Sequence, residues 1–237
     1  MPRLVRRNAQ IYLRIRGFDR DGAARESYVH AIGRSRCGGG SAMNQRTLFA
    51  TSVQVPPGFL LRMEFIQPDE ETQLLREIRA LDLRPAKYKQ FTARRRIVSY
   101  GGRYDFSSNV LMDAAAIPSF LYDLRARVAA FAELPSSEFN HAVITEYAPG
   151  TPLGWHRDVP NFEVVAGVSL LGIGRMRFRK YPPAKGRSAS TFAIDLPPRS
   201  AYLMRGEARW AWQHSISPTR DFRYSITFRT LAIRASH

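Results

Sequence analysis

Apolar and polar positions along the chain follow two different rhythms. From Phe59 to Ile66 the pattern suits a strand. Pro68 and Asp69 then open a stretch in which Leu74, Leu75, Ile78 and Leu81 fall on one face at helical spacing, with Pro85 beyond its end. Ile117, Phe120, Leu121, Leu124, Val128 and Phe131 form a second helical stripe, with Pro118 suited to its first turn. After Phe139 the period shortens. Strand-like runs are expected over residues 142–147, 164–171, 176–178, 191–196, 201–204, 211–214 and 224–231. Pro149-Gly150, Gly172, Gly174, Pro182-Pro183, Pro197-Pro198 and Pro218 punctuate them. Evenly spaced short strands predict a sandwich or barrel of jelly-roll type with supporting helices on one side, an α+β chain that is mainly β. No internal repeat is present. Gly172-Ile173-Gly174 lacks the third glycine of a dinucleotide fingerprint.

Composition narrows the functional classes. The net charge is +16 over 237 residues, which points to a polyanionic partner, nucleic acid before membrane. Residues 1–42 carry nine arginines against three acids, a net of +6, and end in Cys37-Gly38-Gly39-Gly40-Ser41, so +10 remains on residues 43–237. That first segment reads as a basic, flexible extension with one short strand around Ile11, Leu13 and Ile15, and Met43 is a candidate start of the main domain. Cys37 is the only cysteine, which excludes a disulfide framework and a cysteine zinc site. No apolar run reaches transmembrane length, and the arginine-rich start lacks an apolar signal core, so a cytoplasmic monomer is expected.

Candidate chemistry centres on His156-Arg157-Asp158 and His214. A strand points residues i and i+2 to one face, so His156 and Asp158 can meet one metal ion from a single strand, with His214 supplied by a neighbour. Two histidines and a carboxylate with open positions form the facial arrangement of non-haem iron(II) oxygenases. Taken singly, a histidine in an apolar strand is more often a packed core residue, and an Asp before Pro160-Asn161 a turn cap. Further along, Arg223, Ser225, Thr227 and Arg229 alternate with Tyr224, Ile226 and Phe228. Two arginines on one strand face suit a bound dicarboxylate, because guanidinium forks pair with carboxylates bidentately.

With those pieces in place the chain resembles the AlkB family of iron(II)/2-oxoglutarate-dependent dioxygenases. The matching motifs are Tyr147-Ala148-Pro149-Gly150, His156-Arg157-Asp158, His214, and Arg223-Tyr224-Ser225-Ile226-Thr227-Phe228-Arg229, the last close to the family's R-Y-N-L-T-F-R. The resemblance is strong over residues 140–231 and looser over 57–139. It implies a double-stranded β-helix, with His156, Asp158 and His214 as iron ligands. Tyr147 and Arg223 would hold the distal carboxylate of 2-oxoglutarate, and Arg229 would lie near its C1 carboxylate. Thr145 and Ser225 stand where the family often has asparagine. The implied reaction uses dioxygen and 2-oxoglutarate, releases succinate and carbon dioxide, and hydroxylates an N-alkyl carbon, whose product collapses to an aldehyde and the unmodified base. The substrate implied is alkylated DNA or RNA.

Asp158 is followed by Val159-Pro160-Asn161-Phe162, where several repair members carry acidic residues that contact the damaged base. Residues 87–110 lie where the family keeps its nucleotide-recognition lid. Tyr100, Tyr104 and Phe106 would stack on a flipped base there, and Arg94, Arg95, Arg96 and Arg103 would hold phosphates. The bland alternative is that the aromatics are core and the arginines a solvated face. Two other functions share these residues: a protein side-chain hydroxylase or demethylase of the same fold, and a basic nucleic-acid-binding module with a vestigial metal site.

Overall fold

The computed structural model describes residues 12–18, 24–30, 55–88, 91–105, 110–183 and 191–232. In chain order the elements are β1 (Tyr12–Phe18), β2 (Ala24–His30), β3 (Phe59–Arg62), α1 (Pro68–Arg79), β4 (Arg84–Tyr88), β5 (Phe91–Tyr100), β6 (Arg103–Asp105) and β7 (Val110–Met112). There follow α2 (Tyr122–Ala132), β8 (His141–Tyr147), β9 (Leu153–His156), β10 (Phe162–Leu170), β11 (Gly174–Lys180), β12 (Phe192–Leu196) and β13 (Ala201–Met204). The one-turn α3 (Glu207–Trp210), β14 (Trp212–Ile216) and β15 (Arg223–Leu231) complete the set.

The strands form a large sheet in the order β3-β13-β10-β15-β8-β5-β4 and a smaller one in the order β2-β1-β12-β11-β14-β9. Non-sequential neighbours in two antiparallel sheets give the jelly-roll double-stranded β-helix. Because side chains alternate across a strand, the large sheet feeds two cores. Ile144, Val168, Ile226 and Phe228 pack on the helices, against Ile78, Leu121, Leu124 and Val128. Phe59, Leu61, Val165 and Met204 face the smaller sheet, against Met176, Phe178, Ile194 and Leu196. Full burial of each such side chain stabilises by about 1.5–3 kcal/mol.

Both expected helices form. At the start of α1 the Glu70 carboxylate accepts the Gln67 N–H at 2.9 Å, Pro68 occupies the first turn, and Leu74, Leu75 and Ile78 are buried. Glu70 also takes both guanidinium nitrogens of Arg127, which fastens α1 to α2. A short 3-10 turn, Ser119–Leu121, precedes α2, so Pro118 caps that turn instead of entering the helix.

Several expectations change. The strand at Phe59 stops at Arg62, because Glu64 takes a left-handed φ of 48°. Pro85 lies inside β4; that strand is the outermost of its sheet, where a missing N–H is tolerated. Much of the region from residue 87 is strand: β5 is ten residues long and pairs with β8. In the N-terminal segment β1 and β2 form a hairpin, and β1 pairs with β12 through Ile15↔Ile194 and Arg16↔Ala193. Cys37 and Met43 lie outside the described residues. Among the described residues no helix is long and apolar enough to cross a membrane.

Candidate metal and cosubstrate site

β9 and β14 are antiparallel neighbours with His156 directly opposite His214. Their rings lie 4.2 Å apart between centroids. β9 ends at His156, so Asp158 comes from the segment just beyond the strand and not from within it. It nevertheless turns inward, with Oδ2 3.6 Å from His214 Nε2. The ligand-type atoms of the three residues all lie within 4.8 Å of one another.

His156 and Asp158 are each held with one lone pair left over. The Nδ1–H of His156 donates to the Gly154 carbonyl at 2.9 Å, which leaves Nε2 as the free acceptor. On Asp158, Oδ1 accepts Nε and Nη2 of Arg229, both at 3.0 Å. Its Oδ2 is buried and has no hydrogen-bond donor. Burial lowers the pKa of His156, and lowers that of His214 to about 3, where the neighbouring His156 adds to the effect. Burial pushes the Asp158 carboxyl up, but Arg229, His214, His156 and Arg209 together outweigh it and hold the group well below its ordinary value. Two neutral imidazoles and one ionised carboxylate, each with an open lone pair, are a donor set that fits a divalent iron ion.

Arg209 on α3 is a further support that sequence patterning did not single out. It is 2% exposed. Its Nη2 donates to the carbonyls of Val159 at 2.6 Å and Phe162 at 2.8 Å, closing the segment that follows Asp158.

The second half of the chamber is built by register. Across β15 and β8, Arg223 faces Tyr147, Ser225 faces Thr145, and Arg229 faces His141. On the other side of β15, Ser225 faces Ser169 of β10. Arg223 is 1% exposed, with its Cζ 5.0 Å from the Tyr147 ring centroid and its Nε donating to Ser169 Oγ at 3.1 Å. Its Nη1 is buried without a partner. Burying a guanidinium with an unused donor costs several kcal/mol unless an anion meets it, so this cradle fits a carboxylate. Gly174 makes the cradle possible: a Cβ there would lie 2.4 Å from Arg223 Nε. Thr145 and Ser225 are buried in the same wall and present short hydroxyls. Arg229, which the resemblance implies near the C1 carboxylate, is found on Asp158.

A family model described as the 2OG-Fe(II) oxygenase superfamily matches residues 60–229. This chain belongs to that superfamily. It is an iron(II)-dependent dioxygenase, with 2-oxoglutarate and dioxygen as cosubstrates. An Arabidopsis thaliana relative named alkylated DNA repair protein ALKBH8 homolog is 29% identical over 181 residues, 68% of this chain and 51% of the relative. A Xenopus tropicalis relative named tRNA (carboxymethyluridine(34)-5-O)-methyltransferase alkbh8 is 26% identical over 71% of this chain and 26% of its own length. The chain therefore spans about half of the first of these relatives and about a quarter of the second. The solved structure of OsALKBH1 superposes with a TM-score of 0.57 at 16% identity, covering 75% of this chain and 98% of that one, and shares the fold. The chain is thus an AlkB-like 2-oxoglutarate oxygenase.

Within this oxygenase the residues expected in a lid divide by strand face. Opposite Thr145 and Val143 of β8 stand Ile97 and Ser99 of β5, so odd positions of β5 share the chamber side. Arg95 is on that side, and its charge contributes to lowering the His156 pKa. Even positions go the other way. Tyr100 is 8% exposed in the helix-side core, with Phe139 and Ala142. Arg96 forks onto Glu146, Nε to Oε1 at 2.7 Å and Nη2 to Oε2 at 2.9 Å, and Glu146 also accepts the Tyr224 hydroxyl at 2.9 Å. Tyr100 and Arg96, expected to stack on a base and hold a phosphate at the site, are instead separated from the triad by the sheet itself and face the helices. Arg94 is exposed, with Nη1 3.4 Å from the Gly150 carbonyl. Tyr104 is half-buried in the β6–β7 ribbon opposite Leu111. Arg103 lies opposite Met112 in that ribbon, and its side chain, like Phe106, falls outside the described residues.

Proposed function

We propose that this oxygenase removes N-alkyl groups from bases in DNA or RNA, with His156, Asp158 and His214 holding the iron and Arg223, Tyr147, Thr145 and Ser225 lining the 2-oxoglutarate cradle. The observation that carries the substrate half is Arg95, a cation on the chamber side of β5 close enough to act on His156. A phosphate beside the target nucleotide is a suitable partner for it. The +10 charge of residues 43–237 and the names of the ALKBH8 relatives support the same reading.

When bound, iron supplies the oxidising chemistry, with 2-oxoglutarate as the electron source. The protein's own part is positional. Arg223 orients the cosubstrate by one carboxylate. Arg229 occupies one oxygen of Asp158, which leaves a single oxygen as a ligand. Arg209 keeps the segment after Asp158 closed against the sheet. Buried side chains with preset donors suit a reaction that bulk water would divert.

The test is succinate and formaldehyde release with iron(II) and 2-oxoglutarate over methylated single- and double-stranded DNA, RNA and peptides. Aldehyde from a methylated oligonucleotide is the expected result. Aldehyde or hydroxylated product from peptides alone would move the chain to protein modification.

A further inference from the structure

The smaller sheet has an outer face, turned away from the chamber, that carries an interleaved array of cations and aromatic rings. On β11, Met176 and Phe178 point into the core, so Arg177 and Arg179 point outward. β14 lies between β11 and β9. Arg177 and Arg179 cross it over small or neutral residues, Nε of Arg177 donating to Ser215 Oγ at 3.0 Å and Nε of Arg179 to Gln213 Oε1 at 2.7 Å. Both guanidinium groups reach the Trp155 ring of β9, at 4.9 and 4.6 Å from its centroid. From β9 the array runs back: Arg157 lies 3.7 Å from the Tyr181 ring centroid, with Nη1 donating to the Trp210 carbonyl at 3.0 Å. Arg157 and Tyr181 are exposed.

The partners of Arg177 and Arg179 described here are neutral, so their charge is not cancelled by a carboxylate among the described residues. Each spends Nε on a neighbour across β14, and both side chains are half-exposed. Two residues apart on a strand, their Cα atoms stand about 7 Å apart, so the two side chains leave the sheet as separate phosphate partners. The Nε hydrogen bonds and the Trp155 ring hold both guanidinium groups in advance, so little side-chain freedom is lost on binding. Trp155 and Arg157 flank His156, so the array stands directly behind the ligand strand.

We propose that this outer face is a second nucleic-acid surface, which holds the phosphate backbone of a strand whose target base is processed in the chamber. The inference rests on the substrate reading above and is tested separately from it. The partner is a polynucleotide, since neighbouring cations interleaved with aromatic rings match the repeated phosphates and bases of a strand.

The experiment measures affinity of the full chain for a fluorescent unmodified single strand of about twenty nucleotides across a salt series. Each phosphate contact contributes a log–log slope of about −0.7 on a single strand, which is about fourfold in affinity at 0.15 M salt. Arg177→Ala with Arg179→Ala should therefore flatten the slope by about 1.4 and weaken binding about tenfold or more at that salt. Arg177→Lys with Arg179→Lys should keep most of the slope. An unchanged thermal midpoint shows that the sheet is intact. The inference is overturned if the alanine pair leaves slope and affinity unchanged, or if polyglutamate of matched charge binds as tightly as the oligonucleotide. Binding needs no turnover, so the two readings separate. Loss of salt-dependent binding in the alanine pair, with no methylated oligonucleotide ever turned over, keeps this surface and removes the substrate assignment. Unchanged binding with normal oligonucleotide turnover does the reverse.

Discussion

Replacing Arg223 by lysine keeps the charge and removes the fork. The wild-type guanidinium is 1% exposed, spends Nε on Ser169, and has Nη1 without a partner. A carboxylate that docks there gains a charge-assisted pair that an ammonium on a narrower stem does not reproduce. One charge-assisted hydrogen bond is worth about 1.5–3 kcal/mol, and 1.4 kcal/mol is tenfold. The expected loss of 2-oxoglutarate affinity is thus about ten- to hundredfold. Thermal shift reads it without turnover. Ligand at 100 times its Kd stabilises by about 2.7 kcal/mol, or about 5–11 °C for a domain of this size. At that concentration a variant bound fiftyfold more weakly has a ligand-to-Kd ratio of about 2, worth roughly 0.65 kcal/mol and about 1–3 °C. The comparison uses each protein's shift with and without 2-oxoglutarate, so any cost of burying the lysine cancels. Equal shifts in the two proteins, together with an unchanged KM for 2-oxoglutarate, would refute the placement of the cosubstrate on Arg223.

Gly174→Ala puts a methyl group 2.4 Å from Arg223 Nε, so the KM for 2-oxoglutarate should rise by up to about a hundredfold while metal binding persists; an unchanged KM removes Gly174 from the cradle. His156→Ala, His214→Ala and Asp158→Ala should each lose iron(II), followed by cobalt(II) absorbance as a surrogate, and lose turnover with it, because three ligands leave no spare; wild-type turnover in any one rejects that ligand. Arg95→Ala should flatten the salt dependence of single-strand binding by about 0.7, whereas Arg96→Ala should leave it alone and lower the melting temperature by baring Glu146; equal slopes for both variants would remove Arg95 from the substrate path. A chain that starts at Met43 should keep 2-oxoglutarate turnover, since every residue assigned to the metal and cosubstrate lies between 145 and 229, but should self-associate through the bared edge of β12, seen by light scattering; lost turnover would make the hairpin part of the catalytic unit.

Much of this enzyme is written in local patterns. The 3.6-residue stripe of Leu74, Leu75 and Ile78 and the acid-rich first turn of α1 need no tertiary information. Nor does the alternation of Arg223, Ser225, Thr227 and Arg229 with three apolar residues. The candidate metal triad is legible too, because H-x-D keeps two of its members within three residues and a single distal histidine completes the set. Alternation says which residues share a face, however, and not which core that face meets. Only the pairing of β5 with β8 decided that Arg95 turns to the chamber while Arg96 and Tyr100 turn to the helices, since a shift of one residue would exchange them. The same holds for Gly174, Ser169 and Arg209. Each is ordinary in its own segment and acquires a role only when a distant strand brings Arg223 or the Asp158 segment against it. Arg229 makes the point at the level of one side chain. Its position in the motif marked it as a carboxylate binder, and the fold chose Asp158 as the carboxylate. Short-range spacing could name the chemistry, but the assignment of partners required strands far apart in sequence to be placed side by side.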